Sequence, residues 1–85
     1  MKKMDYQIIE EKELLQETFA GLLASMDRYL MKQEIEDESH PLSVLRNQVN
    51  EVWLDVLGPK YTTNEDMAKL HGQLEFLQTY MRALE

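Results

Sequence analysis

Apolar residues recur along this chain at alternating spacings of three and four, the repeat of a helix with one buried face. The most sharply delimited stretch lies between His40 and Pro59, where Leu42, Leu45, Val49, Val52 and Val56 form one stripe. Pro41 suits a first helical position, because its missing amide proton has no intrahelical partner there. At the far end Gly58 is suited to a left-handed cap, and Pro59 cannot continue a helix. These features predict a helix over 41–57 with Trp53 at the edge of its stripe.

Upstream, Ile8, Leu15, Phe19, Leu22, Met26 and Tyr29 share one face of a stretch without proline, which predicts a long helix over 5–36. At 1.5 Å per residue it would reach roughly 45 Å, against roughly 25 Å for the next helix. A mismatch of that size calls for a bend, a frayed end, or an overhang that packs on a second copy or a partner. Ala20, Gly21, Ala24 and Ser25 cluster in the middle, which suggests a bend or a close helix crossing. Ile9, Leu14, Leu23, Leu30 and Met31 lie off the main stripe. So wide an apolar sector is explained either by two neighbouring helices of the same chain or by a second contact surface. The run Glu34-Ile35-Glu36-Asp37-Glu38 places acids where a helix dipole disfavours them, and it reads as a solvated connector.

After a turn over residues 58–63, either Thr62 with Glu65 or Thr63 with Asp66 forms a capping box. Met67, Leu70, Leu74, Leu77, Met81 and Leu84 follow as an unbroken seam, which predicts a third helix over 64–84, with Phe76 and Tyr80 adding bulk beside it. The expected fold is all-α, a single domain over 1–85 with three antiparallel helices, completed as a larger bundle by dimerisation.

Composition narrows the chemistry. A domain of 85 residues buries only about 60–65% of its unfolded surface, which favours enlargement of the core by self-association. With no cysteine there is no disulfide, thiolate metal site or cysteine nucleophile. Lys2-Lys3 is followed by Asp5, Glu10, Glu11 and Glu13 rather than by an apolar segment, and no run approaches the roughly 18–20 apolar residues of a membrane span. A cytoplasmic location is expected.

The net charge is −7, and residues 1–38 carry ten acids against five bases. That sign disfavours direct contact with nucleic acid or with a membrane surface, and it favours a basic protein partner. The candidate acidic face comprises Glu10, Glu13, Glu17, Glu34, Glu36, Asp37 and Glu38.

Catalytic signals are weak. His71 and Glu75 stand four apart on the third helix, but a single such pair is more often surface chemistry than a metal site or a general base. Calcium-loop spacing, a glycine-rich phosphate loop and a nucleophile elbow are all missing from the sequence, so no enzyme activity, cofactor or metal is expected. The leading expectation is a non-catalytic protein-interaction module acting as an adaptor, chaperone or regulator and forming a homodimer through the long helix and the last seam. Candidate interface residues are Phe19, Leu23, Met26, Tyr29, Leu30, Trp53, Leu74, Tyr80 and Met81. The alternative is an acidic inhibitor, of phage or plasmid type, that occupies the nucleic-acid site of an enzyme. A small-ligand binder or enzyme ranks third.

Overall fold

The computed structural model describes residues 6–84 and contains three helices, α1 (Tyr6–Lys32), α2 (Pro41–Asp55) and α3 (Asn64–Leu84). The fold is all-α. Asp27 of α1 pairs with Arg46 of α2, while Lys12 reaches Gly58 beyond the end of α2, so these two helices run antiparallel. Glu11 meets His71 and Leu22 lies beside Met81, so α3 runs in the same direction as α1.

Local chemistry accounts for each boundary. The long helix stops at Lys32, four residues short of the expected end, through a C-terminal motif that turns back on itself. The Ile35 amide donates to the Leu30 carbonyl at 2.9 Å and the Glu34 amide to the Met31 carbonyl at 3.1 Å. This is a Schellman arrangement, with Ile35 and Leu30 at the positions that make its usual apolar contact. Glu34 occupies the left-handed position, at φ 56°. The expected start at Asp5 lies outside the described residues.

Entry to α2 is as the sequence implies: Pro41 sits in the first turn and His40 Nδ1 accepts from the Leu42 amide at 3.1 Å. The helix ends at Asp55 rather than at Leu57, and Gly58 is not left-handed, since no glycine among the described residues has positive φ. Gly58 instead serves a close approach. Its amide donates to the Asp55 carbonyl, and a Cβ there would stand 3.3 Å from that oxygen. For α3 the capping box is Thr63 with Asp66: the Asp66 amide donates to Thr63 Oγ1, and Asp66 Oδ2 accepts from the amides of Thr62 and Thr63.

One core joins all three helices. Phe19, Met26 and Val56 are wholly buried, and Leu15, Leu42, Met67 and Leu70 nearly so. The two neighbours of α1, α2 and α3, account for part of its wide apolar sector: Leu23 is buried and Leu30 half-buried, whereas Ile9, Leu14 and Met31 stay exposed. Gly21 is not a crossing point: a Cβ there would meet nothing within 4 Å.

Candidate functional site

The two flanking helices leave α1 with two different sides. Along the outer side Tyr6, Glu10, Glu13, Leu14 and Glu17 are exposed, on positions that repeat every three or four residues. Leu14 is 65% exposed and sits in a shallow hollow with Glu10, Glu13 and Glu17 around it. The single cation in this half of α1, Lys12, points the other way and is buried. The outer side therefore presents carboxylates around an apolar side chain, with no positive charge of its own helix among them.

The other acidic residues form a separate group. Glu34, Glu36, Asp37 and Glu38 are exposed on the connection to α2, near Met31, which is 78% exposed. Asp37 is turned onto Ser39, whose hydroxyl and amide both donate to its carboxylate and hold its pKa below the usual range, the hydroxyl having the larger effect. From Leu14 to Met31 the helix rises by about 26 Å, so the seven predicted acidic residues make two patches rather than one continuous array.

The inner side is different. Glu10 and Phe19 are nine residues apart, two and a half turns, and so lie on opposite sides of α1. Above Phe19 the walls of α2 and α3 do not close: no Cα of one lies within 8 Å of a Cα of the other. The gap is a groove of about 220 Å³ whose walls are Leu45, Val49 and Val52 on α2 and Phe76 and Leu77 on α3. Gln48 and Gln73 complete the lining, which contains no charged residue. Phe76 is 66% exposed on its wall.

Among the expected interface residues, Phe19, Leu23, Met26, Leu74 and Met81 are buried in the chain's own core. Tyr29, Leu30, Trp53 and Tyr80 are half-buried at its margin. The Trp53 indole nitrogen is enclosed without a hydrogen-bond partner. The seam of α3 thus packs within the chain, while Tyr29, Leu30, Trp53 and Tyr80 keep part of their surface exposed. Phe76, legible in the sequence as a large apolar side chain next to Leu77 of the seam, offers further exposed apolar surface.

His71 pairs with α1, not with its own helix. Its Nε2 lies 2.7 Å from Glu11 Oε1, and the two side chains remain 53% and 37% exposed, while Glu75 is exposed. Among the described residues no group of three His, Asp or Glu side chains is placed to hold a metal ion, and no helix is long and apolar enough to cross a membrane.

Lys12 was not legible as a special residue. The step of seven from Ile8 to Leu15 passes over it, and the missing member of the stripe is this lysine. It is 2% exposed, and its ammonium donates to the Gly58 carbonyl at 2.6 Å. Burial pulls its pKa below the usual lysine value, and the nearby Asp66 carboxylate acts in the opposite direction.

No curated protein and no solved structure matches the chain. The family model described as bacterial epsilon antitoxin matches residues 4–84, nearly the full length, and the chain accordingly belongs to the bacterial epsilon antitoxin family.

Proposed function

We propose that this protein is a non-catalytic inhibitor that neutralises a toxin protein by binding it through the outer side of α1. Membership of an antitoxin family supports a protein partner and a regulatory role, in preference to the enzyme or small-ligand reading. The observation that carries the choice of surface is Leu14 exposed among Glu10, Glu13 and Glu17, with the one nearby cation of α1 turned into the core. Such a face complements a basic cleft with an apolar socket: the carboxylates steer the encounter and the leucine supplies the desolvated anchor. The site of action under this reading is the cytoplasm, where the toxin would be made.

The test is titration of purified toxin with wild-type protein and with a variant carrying Glu10→Gln, Glu13→Gln, Glu17→Gln and Leu14→Ala. The expected result is affinity weakened by at least roughly a hundredfold, a smaller salt dependence, and loss of protection in cells that express the toxin. A variant that binds and protects like wild type would place the toxin contact elsewhere. A competition arm asks whether the basic cleft ordinarily holds a nucleic acid. Displacement of DNA or RNA from the toxin supports phosphate mimicry by the carboxylates, and simultaneous binding overturns it.

A further inference from the structure

Between α1 and α3, with no residue of α2 in the lining, two hollows meet at Ser25. One, of about 400 Å³, is lined by Gly21 and Ser25 of α1 and by Gln78 and Arg82 of α3; the next, of about 520 Å³, by Ser25, Arg28, Lys32 and Leu84. Together they make one groove beside α1 from Thr18 to Gln33, about 22 Å long. Its charge is opposite to that of the chain. Arg28 and Lys32 from α1 and Arg82 from α3 line it and no acidic residue does, although the chain holds 16 acids against 9 bases. Among the described residues none of the three has a carboxylate within ion-pair distance, whereas Arg46 and Lys60 each have one. The helix dipoles favour Lys32 and Arg82, each in a last turn, but not Arg28, which stands a turn earlier. Three uncompensated cations on an otherwise acidic molecule complement an acidic partner.

The groove also selects the form of that partner. An extended segment gains affinity by pairing with a sheet edge, and the described residues form helices alone. A helix carries its own backbone hydrogen bonds. Arg28 and Lys32 are four residues apart, a rise of about 6 Å, which is also the spacing of carboxylates at i and i+4 on a facing helix. The floor suits the apolar side of such a helix, with Leu22 and Met81 beneath it and Tyr29 and Leu84 half-buried beyond. At Gly21 a Cβ would meet nothing within 4 Å, so the wall is low where the incoming backbone would pass.

We infer that the groove between α1 and α3 docks an amphipathic helix of a protein partner, whose carboxylates, one turn apart, meet Arg28, Lys32 and Arg82. The carboxylates of the proposed toxin-binding side, Glu10, Glu13 and Glu17, stand on the first half of α1, whereas these cations stand near the far ends of α1 and α3. The docking therefore does not depend on the toxin reading, and it is measured without any toxin.

The probe is a fluorescent four-turn helical peptide of alanine, leucine and glutamate, with leucine and glutamate on one side, and a twin in which glutamine replaces every glutamate. Fluorescence anisotropy with the full chain at low salt is expected to show saturable binding of the acidic peptide, and binding of the twin weaker by roughly tenfold or more. Arg28→Gln with Lys32→Gln and Arg82→Gln, all at exposed positions, is expected to lose a similar factor and most of the salt dependence, with helical circular dichroism unchanged. Gly21→Leu keeps the three cations but stands a side chain in the groove, and it is expected to weaken the peptide as well. Lys60→Gln with Lys69→Gln removes exposed cations elsewhere and is expected to bind like wild type. A wild type that does not bind the acidic peptide overturns the proposal. So does a triple variant that binds as wild type does, or an equal loss in the Lys60 and Lys69 control. Inorganic triphosphate that binds more tightly than the peptide would assign the groove to small anions, and peptide binding that disappears as protein concentration rises would assign it to a second copy; either result overturns the proposal too.

Discussion

The Lys12 ammonium donates to the Gly58 carbonyl at 2.6 Å, across 46 positions of sequence, and so fastens the start of α1 to the turn between α2 and α3. The cation also stands just beyond the C-terminal end of α2, where the helix dipole favours positive charge. Lys12→Met keeps much of the apolar stem and removes the donor. Losing the partner of a half-buried carbonyl costs up to about 1–3 kcal/mol, partly offset because a desolvated charge disappears as well. The expected net destabilisation is about 1 kcal/mol for Lys12→Met, and about 2 kcal/mol more for Lys12→Ala, which adds a cavity. Urea unfolding of the two variants checks the ordering. Equal stability of Lys12→Ala and wild type would show that the tie contributes nothing.

Three glycines separate into two kinds. At Gly21 and Gly72 a Cβ meets nothing within 4 Å, whereas at Gly58 it comes within 3.3 Å of the Asp55 carbonyl oxygen. Gly21→Ala and Gly72→Ala are each expected to stabilise the fold by about 0.5–1 kcal/mol, by removing backbone freedom from the unfolded chain. Gly58→Ala is expected to have the opposite sign. Thermal melts of the three variants, measured side by side, decide the matter.

Glu34 holds a left-handed backbone at φ 56°, in the cap position where glycine is the usual residue. The strain on a residue with a Cβ is about 1–2 kcal/mol, and glycine returns about 0.5–1 kcal/mol of that as entropy of the unfolded chain. Glu34→Gly is therefore expected to raise stability by about 0.5–1 kcal/mol. Glu34→Ala, which keeps the strain, is not expected to share the gain, and denaturant midpoints of the pair separate backbone strain from loss of the carboxylate.

Two carboxylates link stability to acid. Asp66 is held below the usual range by the amides of Thr62 and Thr63 and then by the Thr63 hydroxyl, and Asp37 by the Ser39 hydroxyl and amide. In the unfolded chain both titrate near about 3.9. Groups with depressed native pKa values contribute stability above the unfolded value, and the contribution disappears as pH falls through the native one. Melting temperature should therefore decline below about pH 4. The gap between wild type and Asp66→Asn, present at about pH 6, should close toward about pH 2. A gap that persists at the acid end would show that the aspartate acts by something other than its charge.

Much of this molecule was readable along the chain because the relevant physics is local. Helical periodicity, the Pro41 entry, the Thr63–Asp66 capping box and the connector after α1 all depend on residues within a few positions of one another. The exposed glutamates of α1 were equally legible, since they fall opposite its apolar stripe. Other features depend on how helices cross. Lys12 finds its carbonyl 46 positions away and His71 its carboxylate 60 positions away, pairs that no spacing rule connects. The same holds for the apolar residues. Periodicity marks Phe19, Leu74 and Phe76 as apolar positions on their helices, but it does not say whether the surface covering them belongs to the same chain. Only the tertiary arrangement, with α2 and α3 on either flank of α1 and a gap between them, buries the first two and leaves Phe76 beside an open groove.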